Sequence, residues 1–190
     1  MNFSKNGNSI LKTIIAFILC FILTGVTPSC SCQRYQPSKG EQLVNSTLAK
    51  TAKIIKEKYP LNPCGSGAAM PGGPIQELIL CFDTKYPLTK EQLRELLIKT
   101  GTELVNQVNE NQEIQPFLKE PPFTIKNVQI IIYNHDKEGR SLVDPHISNA
   151  QIVQGIFTYS TIDSEDTFKY KSESTETYEE ALQAYKHEFF

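Results

Sequence analysis

The chain has 190 residues, with 19 Lys plus Arg against 21 Asp plus Glu, 39% hydrophobic and 9% aromatic residues, no Trp, five Cys and three His. A net charge of −2 supplies no broad basic field, and counterion-release binding depends on many cations facing one way, so nucleic acid is disfavoured as a partner. Regular apolar spacing with 21% charged residues excludes a disordered chain and a multi-span membrane protein, which leaves one soluble domain and a tail.

The first element is a leader. Lys5 and Lys12 precede an apolar run from Ile14 to Leu23 that fades through Thr24-Gly25-Val26, and no acidic residue occurs before Glu41. A basic start, a short apolar stretch and small residues form the grammar of a secretory signal. The run is about 13 residues, short of the about 20 that a bilayer-crossing helix needs. The segment Val26-Thr27-Pro28-Ser29-Cys30 resembles the cleavage box of bacterial lipoproteins: Ser29 suits the position before the cysteine, while Thr27 and Pro28 depart from the usual pattern. That resemblance implies cleavage before Cys30, or before Cys32 behind Ser31, and lipidation of the new first residue. Release by simple cleavage and retention of an uncleaved leader as the membrane anchor stay open. The expected organisation is a signal peptide over 1–29, an anchor and short tether over 30–40, and a single domain over 41–190. Without the leader, 161 residues remain with 17 basic and 21 acidic side chains, a charge of −4.

Within the domain, Ser38 with Glu41 forms a capping-box pair, and Val44, Leu48, Ala52, Ile55 and Tyr59 recur at helical spacing, predicting a helix over about 41–59 that Pro60 stops. Residues 61–74 hold four Gly and three Pro, so a loop without regular structure is expected. Ile75 to Thr84 reads as a strand apolar on both faces, hence central. Thr89 and Gln92 cap a long helix over about 90–110, with Gly101 on its apolar side for close packing against a sheet. Ile114 to Leu118 suggests one further turn before Pro121-Pro122.

Val128 to Tyr133 is a β-branched and aromatic strand, and the polar turn 135–140 sends it into a hairpin whose return begins at Leu142-Val143. Ile152 to Thr161 supplies another strand around Gly155, and Phe168 and Tyr170 mark a last short one. Thr177 and Glu180 cap a closing helix with Tyr178, Ala181, Leu182, Tyr185 and Phe189 on its apolar stripe. One strand-helix-strand crossover followed by a meander predicts an α+β fold of two layers, with about four strands in a mixed or antiparallel sheet and helices mainly on one face.

No catalytic constellation emerges. Gly65-Ser66-Gly67 lacks the third glycine of a dinucleotide fingerprint and follows a helix rather than a strand. Neither G-x-S-x-G nor the papain-type C-G-S-C-W run is met around Cys64. The three His have no ligand spacing, the acids of Asp163 to Phe168 do not match a calcium loop, and no metal or cofactor is implied. Seven acids and two Lys in residues 161–180 read as an exposed face. Cys64 and Cys81 are candidates for a disulfide, as are Cys32 and Cys64.

The expected function is that of an exported cell-envelope protein, lipid-anchored and binding or supporting an envelope protein partner. Its candidate interaction loop is Gly65, Ser66, Gly67, Met70, Gly72 and Gly73. Residues 61–134 resemble small exported bacterial proteins with a similar Gly-rich loop before a strand and a Leu-rich helix, a resemblance that implies no activity. Two alternatives stay open: a hydrolase or thiol enzyme using Cys64 or Ser66 with His135 or His146, and a carrier of an apolar small ligand.

Overall fold

Three capping pairs start the three helices. The Ser38 side chain accepts from the Glu41 amide while the Glu41 carboxylate accepts from the Ser38 amide, and α1 runs Lys39–Lys58. Thr89 and Gln92 do the same for α2, Lys90–Glu110. Thr177 and Glu180 do so for α3, Tyr178–Phe189. Each exchange satisfies amides that a helix start leaves without an intrahelical partner. A computed structural model of the chain describes residues 35–189. The expected leader and the lipidation candidates Cys30 and Cys32 lie outside the described residues.

The domain is α+β with a mixed sheet, and its strands are β1 Asn62–Ala69, β2 Glu77–Asp83, β3 Val128–Tyr133, β4 Asn149–Val153, β5 Ile156–Ile162 and β6 Tyr170–Thr177, in spatial order β1-β2-β3-β4-β5-β6. Only β2 and β3 run parallel, joined through α2; every other neighbouring pair is antiparallel. The expected crossover followed by a meander is therefore present, but the sheet has six strands rather than about four.

Two strands account for the difference. Residues 62–69, expected as a loop, form β1. An edge strand tolerates Pro63, because only one side of its backbone must pair, and Gly65 and Gly67 fit beside the side chains of Cys81 and Ile79. The stretch expected as one strand around Gly155 is the β4–β5 hairpin. Its two-residue turn has positive φ at both Gln154 (52°) and Gly155 (79°), the twist that suits tight hairpins.

Two placements also move. The strand after β3 returns at Asn149, not at Leu142-Val143, which follow a single bridge between His135 and Ser141. Phe168 lies outside β6 and is 98% exposed. The polar β6 sequence holds its strand through pairing with β5 rather than through apolar alternation.

All three helices pack on one sheet face: α1 on β1 and β2, α2 on β3 and β4, α3 on β5 and β6, each helix touching the next. The core lies between the layers, where Leu78, Leu80 and Phe82 of β2 and Val128, Ile130 and Ile132 of β3 are fully buried against Leu93, Leu97 and Leu104 of α2. The opposite face presents Ile79, Cys81, Ile131 and Val153, half-buried, and no described helix covers it.

Gly101 sets the approach of α2 to the sheet. A Cβ there would stand 2.7 Å from Ile125 Cδ1 and 3.1 Å from Ile152 Cδ1. Gly101→Val is expected to cost about 3 kcal/mol in urea unfolding, from overpacking. Gly101→Ala is expected to cost much less, because about 1 kcal/mol of helix propensity offsets part of displacing the Ile125 and Ile152 side-chain ends.

Candidate functional site

The expected interaction segment folds as half of a hairpin, with Gly72 (φ 76°) and Gly73 (φ 108°) supplying left-handed turn conformations and the Gly73 amide donating to the Met70 carbonyl. Its strand β1 is exposed over Pro63 to Ser66 and, among the described residues, pairs only with β2. Ser66 pairs with Leu80 and lines a groove of about 280 Å³ between β1 and Asn45, Ala49 and Ala52 of α1. Met70 packs against the core near Gly40, so it is a structural side chain more than a displayed one.

Cys64 takes the other face. The β1–β2 register passes from Pro63↔Phe82 to Gly65↔Cys81, so Cys64 is the extra residue of a β-bulge. Its thiol meets Asp83, which lies two residues beyond Cys81 on the open side of β2. From β3, Tyr133 pairs in register with Asp83, and its ring stacks on His135 at 6.4 Å between centroids. His135 Nδ1 stands 3.6 Å from Asp83 Oδ1. Cys64, Cys81, Asp83, Tyr133 and His135 thus share one corner of the open face.

The chemistry of that corner follows from its order. A nucleophilic thiol needs a base or a cation beside it, whereas here the carboxylate of Asp83 stands between the thiol and the imidazole. Burial, the charge of Asp83 and the thiol–carboxylate hydrogen bond push Cys64 up to about 12; burial and Asp83 also push Cys81 up. Ser66 faces α1, away from this corner, and the imidazole that meets Asp83 there is that of His135.

A raised thiol pKa has a definite sign in stability. The folded chain holds the Cys64 proton more tightly than the unfolded chain, whose thiol titrates near 9.0. The contribution is complete below pH 9 and is lost as pH rises toward 12, so alkaline titration is expected to destabilise the fold over that window. At pH 8, alkylation of Cys64 by iodoacetamide is expected to be at least about 10-fold slower in the folded chain than in urea, because the thiolate is the reacting form. Equal rates would show that the folded environment does not hold the proton.

A second polar cluster, not anticipated from the sequence, lies between the layers. Arg94 of α2 donates from Nε and Nη2 to the two carboxylate oxygens of Glu176 in β6, at 2.9 and 3.1 Å, and the Tyr159 hydroxyl donates to the same carboxylate. Lys90 Nζ lies 4.7 Å over the Tyr159 ring and donates to Ser174. Burial and Glu176 push the Tyr159 phenol up. Arg94, Glu176 and Tyr159 are bonded to one another, which reads as a clamp between α2 and the β5–β6 edge.

Two surface grooves of about 550 and 490 Å³ are lined mainly by charged and amide side chains, including Lys50, Glu110 and Glu113 in one and Lys119, Glu120 and Lys126 in the other. Among the described residues no group of three or more His, Cys, Asp or Glu is placed to hold a metal ion, and no helix is long and apolar enough to cross a membrane. Compared with protein-family models, curated proteins and solved structures, the chain matches none.

Proposed function

We propose that this is an exported cell-envelope protein, lipid-anchored through Cys30 or Cys32, whose domain is a binding module that accepts an extended segment of an envelope partner alongside β1. The supporting observation is the contrast between the two sheet edges. Gly65 to Ala69 is uncharged and small, with no described strand on its outer side, whereas β6 carries Lys171 and Glu173. Natural proteins blunt exposed edges with charge, and an undefended edge is a template for main-chain pairing. The bulge at Cys64 and Pro63 confines that template to its later residues. The export part rests on the basic and apolar leader and the Ser29-Cys30 box.

The test is photo-crosslinking in cells from a probe at Ser66, with Thr175 of β6 as the control position. A discrete adduct from Ser66 that disappears with Gly67→Lys supports the reading; this substitution is tolerable because the nearest atom to a Cβ there is 3.7 Å away. Equal adducts from both edges, or none, would overturn it. For the anchor, intact mass from the native membrane is expected to show a diacylglyceryl adduct on Cys30 or Cys32, and a full-length unmodified chain would defeat it.

A second reading, a thiol-using enzyme, has one observation in its favour, the meeting of Cys64, Asp83 and His135 at one corner. The high thiol pKa works against it.

A further inference from the structure

The open-face corner carries an inference that does not rest on the binding role. Gly65 and Cys81 are cross-strand partners, so their Cα atoms stand about 4.5–5.5 Å apart, and Cys64 is one residue further along the bulge. A disulfide spans Cα separations of about 4.4–6.8 Å. The neighbouring geometry bears on direction as well. A Cβ on Gly65 would lie 3.4 Å from Cys81 Cβ and 3.5 Å from its Sγ, so the absent side chain leaves the space beside the Cys81 sulfur open. Both thiols interact with Asp83, which places them on the same face, and each lies within electrostatic reach of Tyr133. Cys64 is exposed and Cys81 half-buried.

We propose that Cys64 and Cys81 are a redox-active pair that closes a cross-strand disulfide, with Cys64 as the attacking thiol, Cys81 as the resolving thiol and a glutathione-type disulfide as oxidant. Exposure decides the order, since Cys64 is exposed and Cys81 half-buried, so an incoming disulfide meets Cys64 first. The Cys64 thiolate attacks one sulfur of the oxidant, forming a mixed disulfide and releasing one thiol. The Cys81 thiolate then attacks the Cys64 sulfur and releases the second. Two protein thiols lose two electrons and two protons, and both protons end on the two released thiols. The product staples β1 to β2 across the bulge.

Asp83 regulates the rate. The groups facing Cys64 are Asp83 and Cys81 from β2 and Tyr133 from β3, with His135 behind Asp83 and Tyr170 beside Tyr133. Burial opposes thiolate formation most and the Asp83 carboxylate adds to it, so removing that charge speeds oxidation of the pair.

Lys58 and Lys85 bracket a tryptic segment, Tyr59–Lys85, that contains Cys64 and Cys81 and no other cysteine. The full chain is incubated with oxidised glutathione at pH 8, quenched with iodoacetamide in urea and digested without reduction. The expected product is this segment two hydrogens lighter and unalkylated, with dithiothreitol restoring two alkylation sites. Cys81→Ser is expected to stop at a glutathione adduct on Cys64, and Asp83→Asn to close the disulfide several-fold faster. A wild-type segment that stays doubly alkylated, or halts with glutathione on Cys64, would overturn the pair; an unchanged Asp83→Asn rate would overturn the role of Asp83.

Discussion

Replacing Arg94 with methionine is expected to destabilise the domain by about 3–5 kcal/mol, the cost of leaving a buried carboxylate without its cation. The side chains of Arg94 and Glu176 are 9% and 13% exposed, so water does little to rescue Glu176. Two parallel N–H donations fix the carboxylate plane, and the Tyr159 hydroxyl, in a residue only 2% exposed, depends on the same oxygen. The loss is a large share of a typical domain's 5–15 kcal/mol and corresponds to about 10 °C in Tm. The double variant Arg94→Met with Glu176→Gln is expected to recover much of it, because the uncompensated charge is removed. Urea unfolding of the two singles and the double measures the coupling. A single Arg94→Met loss below about 1 kcal/mol would show that the clamp is not what ties α2 to the β5–β6 edge.

Asn134→Ala is expected to cost about 3–4 kcal/mol. Asn134 is fully buried just past β3. Its Oδ1 accepts from the Leu88 amide at 3.0 Å and the Thr84 hydroxyl at 3.3 Å, and its Nδ2 donates to the Leu88 and Ile147 carbonyls at 3.0 and 2.8 Å. One amide side chain therefore satisfies groups from the segment before α2 and from the segment before β4. Thr84 keeps the His135 amide as a partner, but alanine leaves the Leu88 amide and the Leu88 and Ile147 carbonyls without the Asn134 side chain, at about 1–3 kcal/mol each before relaxation. Among the described residues every buried side-chain polar atom has a partner, so no spare donor waits to replace it. Asn134→Asp, with the same shape, is expected to be at least as damaging, because a carboxylate would then face two carbonyl oxygens. Native-state hydrogen exchange should locate the damage at the Leu88 amide; an Asn134→Ala variant with wild-type protection there would refute this account.

These two side chains show where the sequence is silent. Arg94 sits on a helix and Glu176 on a polar strand far along the chain, and nothing in either neighbourhood marks a pair. Asn134 reads locally as a strand end. The corner at Cys64 is equally hidden: Asp83 and His135 belong to different elements, and they meet only because β2 and β3 lie side by side in parallel. The bulge that turns Cys64 toward them is a property of the β1–β2 register.

By itself the sequence determined the three helices, the two buried inner strands and the crossover with its meander, because these depend on interactions within a few residues or on a repeating apolar period. Ser38, Thr89 and Thr177 each find their capping partner three residues on, and Gly101 announces a close approach by lacking a side chain on an apolar stripe. Tertiary structure alone decided β1, the Gln154-Gly155 turn and the extent of β6. A Gly-rich or polar segment has no apolar pattern of its own, and it becomes a strand only when a neighbouring strand offers its backbone hydrogen bonds. The candidate site belongs to the same class. Its residues were visible one at a time, but their meeting is a consequence of sheet register, which no local stretch of the chain encodes.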